Sequence, residues 1–379
     1  MRTLAIVATH PIQYYVPIYR ALTAMGKIDV RVFYGKIPSP QEQGRDFNTA
    51  FQWDIDLQSG YAFQDDAAGS KELFEGIEQR RWTAVMVHGW DAPLYRNVLL
   101  RAWWNEVPIL VRGDSHLQTT RADWKRWVKL PLYRRLLTKF SACLAVGTWN
   151  AQYYRHYRVS SHRIVISPHA VDNLRFQTQA SEWRANRQQL RREWGMDDAD
   201  FVFLFSGKLM RGKHVDDLIQ ALAMVKQKRP DLRPHLLIVG EGVERERLMR
   251  LALEKNVVTT LAGFLNQSQI PMAYVAADCL VLPSHDETWG MVVNEALACG
   301  TPCIVSDKVG CAVDMILSGV NGLVYPCGNI PRLAERLEAV ATGELRFHCE
   351  DERVVELLRK FSPERAAAGI LRGMDLCRN

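Results

Sequence analysis

Short apolar runs recur along the whole chain, separated by polar or amphipathic stretches. In the first half, Leu4–Ala8, Val30–Tyr34, Ala84–His88, Pro108–Arg112 and Ala142–Val146 have the length and composition of buried strands. Pro17–Met25 has the apolar spacing of a helix between the first two. The pattern loosens around Ser167–Phe176, and Gln177–Arg192 is polar with helical spacing. A second series then begins. Strands are predicted at Phe201–Phe205, His235–Val239, Thr259–Ala262, Cys279–Leu282 and Pro302–Ser306. Helices Val215–Arg229, Val243–Lys255, Ile270–Ala277 and Met291–Cys299 alternate with them.

Strand–helix alternation argues for a parallel sheet covered by helices, here twice over. The expected class is α/β, two Rossmann-like βαβ domains facing across a cleft, a common place for ligands. Residues 1–172 form the expected acceptor-side domain and 173–361 the donor-binding one. Ser-Pro-Glu at Ser362 opens a helix that runs towards Cys377, and its periodicity alone assigns it to neither domain.

Composition narrows the class. A chain of 379 residues is too long for one ordinary core, and 47% hydrophobic with 24% charged residues is a globular balance. No apolar stretch approaches the length of a membrane span. Met1–Thr9 stops at His10-Pro11 and reads as a buried first strand, not a signal peptide. The eight cysteines form no C-x-x-C pair and have no zinc-like histidine spacing, so a reducing cytoplasm is expected.

Charge is unevenly placed. The net charge is 48 − 42 = +6, and residues 118–140 alone hold seven Lys or Arg against Asp123, 7 − 1 = +6. Trp124, Trp127, Val128, Leu132, Leu136 and Leu137 accompany them at roughly helical spacing. Such a basic helix suits an anionic lipid surface, so a peripheral position on the inner face of the membrane is one expectation. The alternative is a helix that packs its apolar side and solvates its basic side. No nucleic-acid motif accompanies the charge, and nucleic acid is not expected as a partner.

Candidate chemistry concentrates in the second half. Between Leu282 and Val305 a polar loop, S-H-D-E-T-W-G, leads into a helix at Gly290. Free N–H groups at a helix start lie at the positive end of its dipole and hold phosphate or sugar oxygens. Glu287 in the loop and Glu295 in the helix offer acceptors for vicinal hydroxyls. After Phe201–Phe205 the run S-G-K-L-M-R-G-K places Lys208 and Lys213 on a loop where Gly207 lets a backbone approach closely. Two ammonium groups there suit a diphosphate. Gly240-Glu241-Gly242 follows the next strand in the same topological position.

These features together resemble glycosyltransferase family 4, retaining enzymes of GT-B fold with an E-x7-E motif. The resemblance runs through Gly207–Lys213, Gly240–Gly242, Gly263-Phe264 and Pro283–Gly322, including E-T-W-G-x-V-V-N-E-A-L-A-C-G-T-P, Ser306-Asp307 and Asn321-Gly322. It implies that Lys208 and Lys213 bind a donor diphosphate, Glu295 ribose hydroxyls and Glu287 the sugar. Backbone groups of Trp289, Gly290 and Met291 would touch sugar and phosphate, and Gly207, Glu241 and Phe264 would complete the donor side. It further implies that the C-terminal helix, about 362–379, returns to the first domain. Relatives usually carry Arg at the place of Lys208.

On the acceptor side, Pro108–Arg112 leads into G-D-S-H, giving Asp114 and His116. By resemblance His116 would contact the sugar or assist the departing diphosphate. The first strand ends in H-P-I-Q-Y, like a subset of the family, which places His10, Gln13 and Tyr14 towards acceptor or donor phosphate. Gly147–Asn150 and Pro168–Asp172 resemble signatures near the hinge.

The expected activity is transfer of a sugar, with retention, from a nucleotide-diphosphate sugar to a hydroxyl of a glycan, lipid-linked or other polar acceptor. Cell-surface polysaccharide or glycoconjugate biosynthesis is the expected setting. His116, Glu287 and Lys213 are the expected catalytic residues. No D-x-D pair stands in a metal-binding arrangement near the donor loop, so no metal or other cofactor is expected; the nucleotide-sugar is a co-substrate. The rivals are a catalytically silent binding or scaffold relative and a sugar-nucleotide epimerase. A glycosidase fits less well, because its two carboxylates must flank one bond.

Overall fold

The computed structural model describes residues 1–45, 49–118 and 123–377, with the backbone alone over 123–129. Along the first half run β1 (Thr3–Ala8), α1 (Val16–Ala24), β2 (Asp29–Tyr34), α2 (Pro40–Gln43), β3 (Ala62–Gln64), α3 (Ala67–Glu78), β4 (Ala84–His88) and α4 (Pro93–Trp104). They are followed by β5 (Ile109–Gly113), α5 (Asp123–Leu137), β6 (Ala142–Ala145), α6 (Thr148–His156) and β7 (Ile164–Ile166). Next come α7 (Asn173–Arg184), α8 (Arg187–Glu193), β8 (Phe201–Ser206), α9 (Val215–Lys228), β9 (Pro234–Val239), α10 (Arg245–Glu254) and β10 (Val258–Gly263). The rest are α11 (Ile270–Ala276), β11 (Cys279–Leu282), α12 (Met291–Ala298), β12 (Cys303–Ser306), α13 (Ala312–Met315), β13 (Gly322–Tyr325), α14 (Ile330–Ala341), α15 (Glu352–Lys360) and α16 (Pro363–Asp375).

The chain divides into two compact units. One comprises Met1–Pro38, Asp56–Val171 and Lys360–Asn379, the other Ser39–Ile55 and Asp172–Arg359. The expectation of an unbroken first domain over 1–172 is corrected at Ser39–Ile55, which groups with the second unit. Phe51 stacks on Phe264 with ring centroids 4.1 Å apart. The Ser268 N–H donates to Asp54 at 3.1 Å, and the Asn266 amide donates to the Gln52 carbonyl at 2.7 Å. No local periodicity announces such long-range pinning.

In the first unit the sheet order is β3-β2-β1-β4-β5-β6-β7, with all pairs parallel. Its central strands β1, β4, β5 and β6 are buried on both faces, as crossover helices require. α16 belongs to this core. Ser362 caps it by accepting from the Arg365 N–H at 3.3 Å, and Pro363 supplies a preset first turn. Ala366, Ile370 and Met374, spaced one turn apart, are fully buried in a cluster with Leu4, Ile6 and Leu144. A Cβ on Gly369 would lie 2.3 Å from the Ile166 carbonyl, so the bare glycine lets the helix lie against β7.

In the second unit the order is β10-β9-β8-β11-β12-β13, again parallel throughout. Each sheet reverses its direction of growth once, between β1 and β4 and between β8 and β11. At such a switch point the loops leaving the two carboxyl ends diverge and open a crevice for ligands.

Several strands carry too little pattern to be read in advance. β3 and β7 are three residues long, and β13 lies between Asn321-Gly322 and Pro326. Gln177–Arg192 is broken at Ala185-Asn186 into α7 and α8. Part of the basic segment 118–140, including Arg121, lies outside the described residues, as do the side chains of Trp124, Trp127 and Val128. Within its described part Leu130, Tyr133, Leu136 and Leu137 pack on one core cluster, while Leu132 is 63% exposed.

Candidate active site

The β8/β11 switch point gathers the donor-side residues. The loop after β8 carries Gly207, Lys208 and Lys213, and the loop after β11 carries Glu287, Trp289 and Gly290. A His214–His285 ring stack at 5.4 Å and two polar contacts join these loops. The Lys213 ammonium pairs with the Glu287 carboxylate, and the His285 N–H donates to the Gly212 carbonyl at 3.0 Å. Sequence reasoning gave this lysine and this glutamate separate tasks. The fold brings them together as one ion pair.

Glycine permits the neighbouring backbone. Gly240 has φ +135°, and a Cβ there would stand 1.9 Å from the Gly207 carbonyl oxygen. The Leu209 N–H donates to the Glu241 carbonyl at 2.9 Å, which fixes the β8 loop on the β9 loop. Glu241 is itself paired with Arg245 one turn on, at 3.3 Å. Phe264, after β10, has one ring face on Phe51.

Gly290 starts α12 in the left-handed region, φ +97°, and a Cβ there would meet Val309 at 2.9 Å. Among the described residues no protein acceptor meets the N–H of Gly290, Met291 or Val292. These are the free donors that a helix start offers to an anion. The Trp289 indole donates inward to Asn294 at 2.9 Å, so this side chain props the loop. Glu295 is only 2% exposed, and its carboxylate accepts from the Tyr274 hydroxyl at 2.6 Å. Tyr274 sits on α11, and nothing in its local sequence signals this partnership.

Other motif residues hold the scaffold. Asn321 is buried, donating to the Met315 carbonyl at 2.9 Å and accepting from the Leu317 N–H at 2.8 Å. Gly322 sits where a Cβ would be 2.0 Å from the Cys303 carbonyl oxygen. Asn150 is buried and ties α6 to the Ser115 carbonyl at 2.7 Å, between Asp114 and His116. Among the described residues, His214, Asp216 and Asp217 offer ligand atoms within 4.8 Å of one another. The two carboxylates stand in the first turn of α9, where acid complements the helix dipole. Asp216 pairs with Arg247 at 3.2 Å and Asp217 with His214 at 3.3 Å.

In the first unit, the β1/β4 switch point receives the His10–Tyr15 loop and His88, with Arg112, Asp114 and His116 leaving the adjacent β5. His10 bonds Thr9 through Nδ1 at 3.0 Å, and burial followed by Lys36 holds its pKa below the usual value. Gln13 and Tyr14 are half-buried on the same loop. His116 is buried, accepts from the Gln118 N–H at 3.1 Å, and lies beside Trp149. Asp114 faces His169 at 3.9 Å.

Sequence reasoning passed over Tyr15, His88 and Arg112 as site residues. Tyr15 stacks on His88 at 4.1 Å, and the Arg112 guanidinium lies 5.4 Å from the Tyr15 ring centre. Burial, then Arg112 and His169, holds the His88 pKa well below the usual value. One signal was available: a histidine and an arginine each close an otherwise apolar strand.

Comparison with known proteins places this geometry. Structures of the whole chain's shape include Anabaena HepE in complex with UDP and glucose, with TM-score 0.72 and 14% identity over 99% of this chain and all of that one. WaaG, a glycosyltransferase involved in lipopolysaccharide biosynthesis, gives TM-score 0.67 and 18% identity over 96% and 98%. The fold is therefore α/β with two Rossmann-like domains, like these GT-B structures. Residues 186–355, which lie within the second unit, match the family model of glycosyl transferases group 1. D-inositol 3-phosphate glycosyltransferase of Pseudarthrobacter chlorophenolicus is 34% identical over 195 residues, covering 50% of this chain and 44% of that protein. The Salinispora arenicola protein of that name is 32% identical over 237 residues, 56% and 52%. The chain thus spans about half the length of the curated relatives it matches.

Proposed function

We propose that this protein is a retaining, metal-independent glycosyltransferase of family 4. It moves a sugar from a nucleotide-diphosphate sugar to a hydroxyl of a glycan, lipid-linked or other polar acceptor, in cell-surface polysaccharide or glycoconjugate assembly. The observation that carries this reading is the convergence of Lys213, Glu287 and the free N–H groups of α12 at one switch point. A diphosphate settled there meets an ammonium group and a helix start. Glu287 accepts from sugar hydroxyls, and the buried Glu295 from the ribose.

As the bond to the sugar breaks, charge grows on the diphosphate. Lys208, Lys213 and the helix dipole are already oriented to stabilise it, which is electrostatic catalysis without reorganisation. The acceptor hydroxyl attacks from the face the diphosphate leaves, and the leaving group takes the proton. His116 serves the sugar or the leaving group, and His10, Gln13, Tyr14 and Asp114 serve the acceptor side. UDP in a structural neighbour supports a nucleotide donor.

The test is product analysis in excess chelator with a panel of nucleotide-sugars and hydroxyl acceptors. A retained anomer formed without added divalent ion is the expected product. An inverted anomer, or strict metal dependence, contradicts the assignment, and an epimerised donor points to an epimerase. The basic α5, with Leu132 and Arg135 exposed, is the proposed contact with anionic membrane. Failure to sediment with anionic vesicles at low salt removes that part alone.

A further inference from the structure

Arg112 ends β5 with its guanidinium inside the first unit, only 1% exposed. Nη2 donates to the Pro168 carbonyl at 2.8 Å and Nε to the Ser167 hydroxyl at 3.4 Å. Nη1 has no partner, and no carboxylate of a described residue forms an ion pair with the group. A buried cation bonded only to a carbonyl and a hydroxyl is expensive, because it has lost water and, although Asp114 acts on it through space, no carboxylate bonds it directly.

Its neighbour is unusual in the same way. His88 is the register partner of Arg112 on the adjacent β4, so both side chains leave the same face of the sheet. Tyr19 stays protonated, since burial raises its pKa well above the usual value, and its hydroxyl meets His88 Nε2 at 2.7 Å. In the tautomer in which Tyr19 donates to Nε2 the ring carries its proton on Nδ1, and that buried nitrogen has no hydrogen-bond partner. An unbonded guanidinium nitrogen and an unbonded imidazole nitrogen thus stand on adjacent strands beside the β1/β4 switch point. Tyr15 lies against both groups.

We propose that Arg112 and His88 form a subsite for an anionic oxyacid group, phosphate or carboxylate, carried by the acceptor. The inference rests on the acceptor-side reading of the first unit. A guanidinium flanked by an N–H donor matches the planar or tetrahedral oxygens of such a group, and charge-assisted bonds of this kind are the strong ones. The site also gives the Arg112 Nη1 group the acceptor that the protein itself does not provide.

The test uses the full chain carrying Lys213→Ala, so that the proposed donor site does not capture the probe. Histidine rings are isotope-labelled and followed by NMR while inorganic phosphate and, separately, acetate are added. The expected result is a saturable shift of the His88 signal, assigned by its loss in His88→Asn, with Kd of about millimolar order. Arg112→Lys keeps the charge but loses the planar fork, and is expected to weaken that binding by about ten-fold. A response to phosphate alone identifies a phosphorylated acceptor, and one to acetate alone an acidic sugar or other carboxylate. An unmoved His88 signal with both probes, or equal affinity in Arg112→Lys, overturns the proposal. UDP affinity of the parent chain against Lys213→Ala is measured in parallel, so failure of the donor reading shows itself separately.

Discussion

The carboxyl edges of the two sheets share a topology and differ in how they handle charge. In the second unit acids and bases at this edge are paired: Lys213 with Glu287, Glu241 with Arg245, Glu295 with Tyr274. Glycines let the backbone itself approach. In the first unit the edge is built from aromatic rings and histidines around one buried arginine, with Asp114 facing His169. On the proposed function, the paired, glycine-lined edge takes the donor diphosphate in exchange for an existing ion pair, and the ring-lined edge takes an acidic group of the acceptor.

The largest effect that sharpens this contrast is expected from Glu295→Ala. It removes a buried carboxylate and strands the Tyr274 hydroxyl. Turnover is expected to fall by about a thousand-fold, with donor affinity lost and the secondary structure kept by circular dichroism. A variant with parental turnover would detach Glu295 from the donor side.

Next comes a test of the glycine-lined edge. Gly240→Ala puts a methyl 1.9 Å from a carbonyl oxygen at φ +135° and is expected to destabilise the second unit by roughly 2–4 kcal/mol. Gly26→Ala, at φ +62° with nothing within 4 Å, is the control, expected to cost about 1 kcal/mol in urea unfolding. Equal costs would show that close approach is not what selects glycine at 240.

A smaller effect probes the first unit. Burial holds His88 and His169 below their usual pKa of 6.5, so both stay neutral in the folded chain. The unfolded chain therefore binds more protons as pH falls below about 6.5, and stability present above that value is lost towards acid. His169→Asn is expected to flatten the fall in first-unit stability between neutral and mildly acid pH, read by hydrogen exchange of β5 and β6 amides. An unchanged slope would mean that His169 titrates alike in both states.

Legibility in the sequence divided along physical lines. Long apolar strands such as Ala84–His88 and Cys279–Leu282 were placed to the residue, because burial on both faces leaves an unbroken apolar run. Three-residue strands left no such trace. The docking of Ser39–Ile55 depends on Phe51 meeting Phe264 across more than half the chain, a contact that no local pattern encodes. The loops after β8 and β11 were legible as candidate chemistry because glycines and charged residues cluster at fixed offsets after strands. The pairing of Lys213 with Glu287, and the burial of Glu295 on Tyr274, were not, since both are decided by how neighbouring loops and helices lean together. Arg112 was hidden by its place at the end of a strand, where an arginine is ordinarily solvated.

The most direct measurement is isothermal titration of a nucleotide-diphosphate sugar panel into the parent chain and into Lys213→Ala. The account expects at least one donor to bind the parent, and the variant, melting as the parent does, to bind it about a hundred-fold more weakly. Undiminished donor affinity in a normally folded Lys213→Ala protein would contradict it.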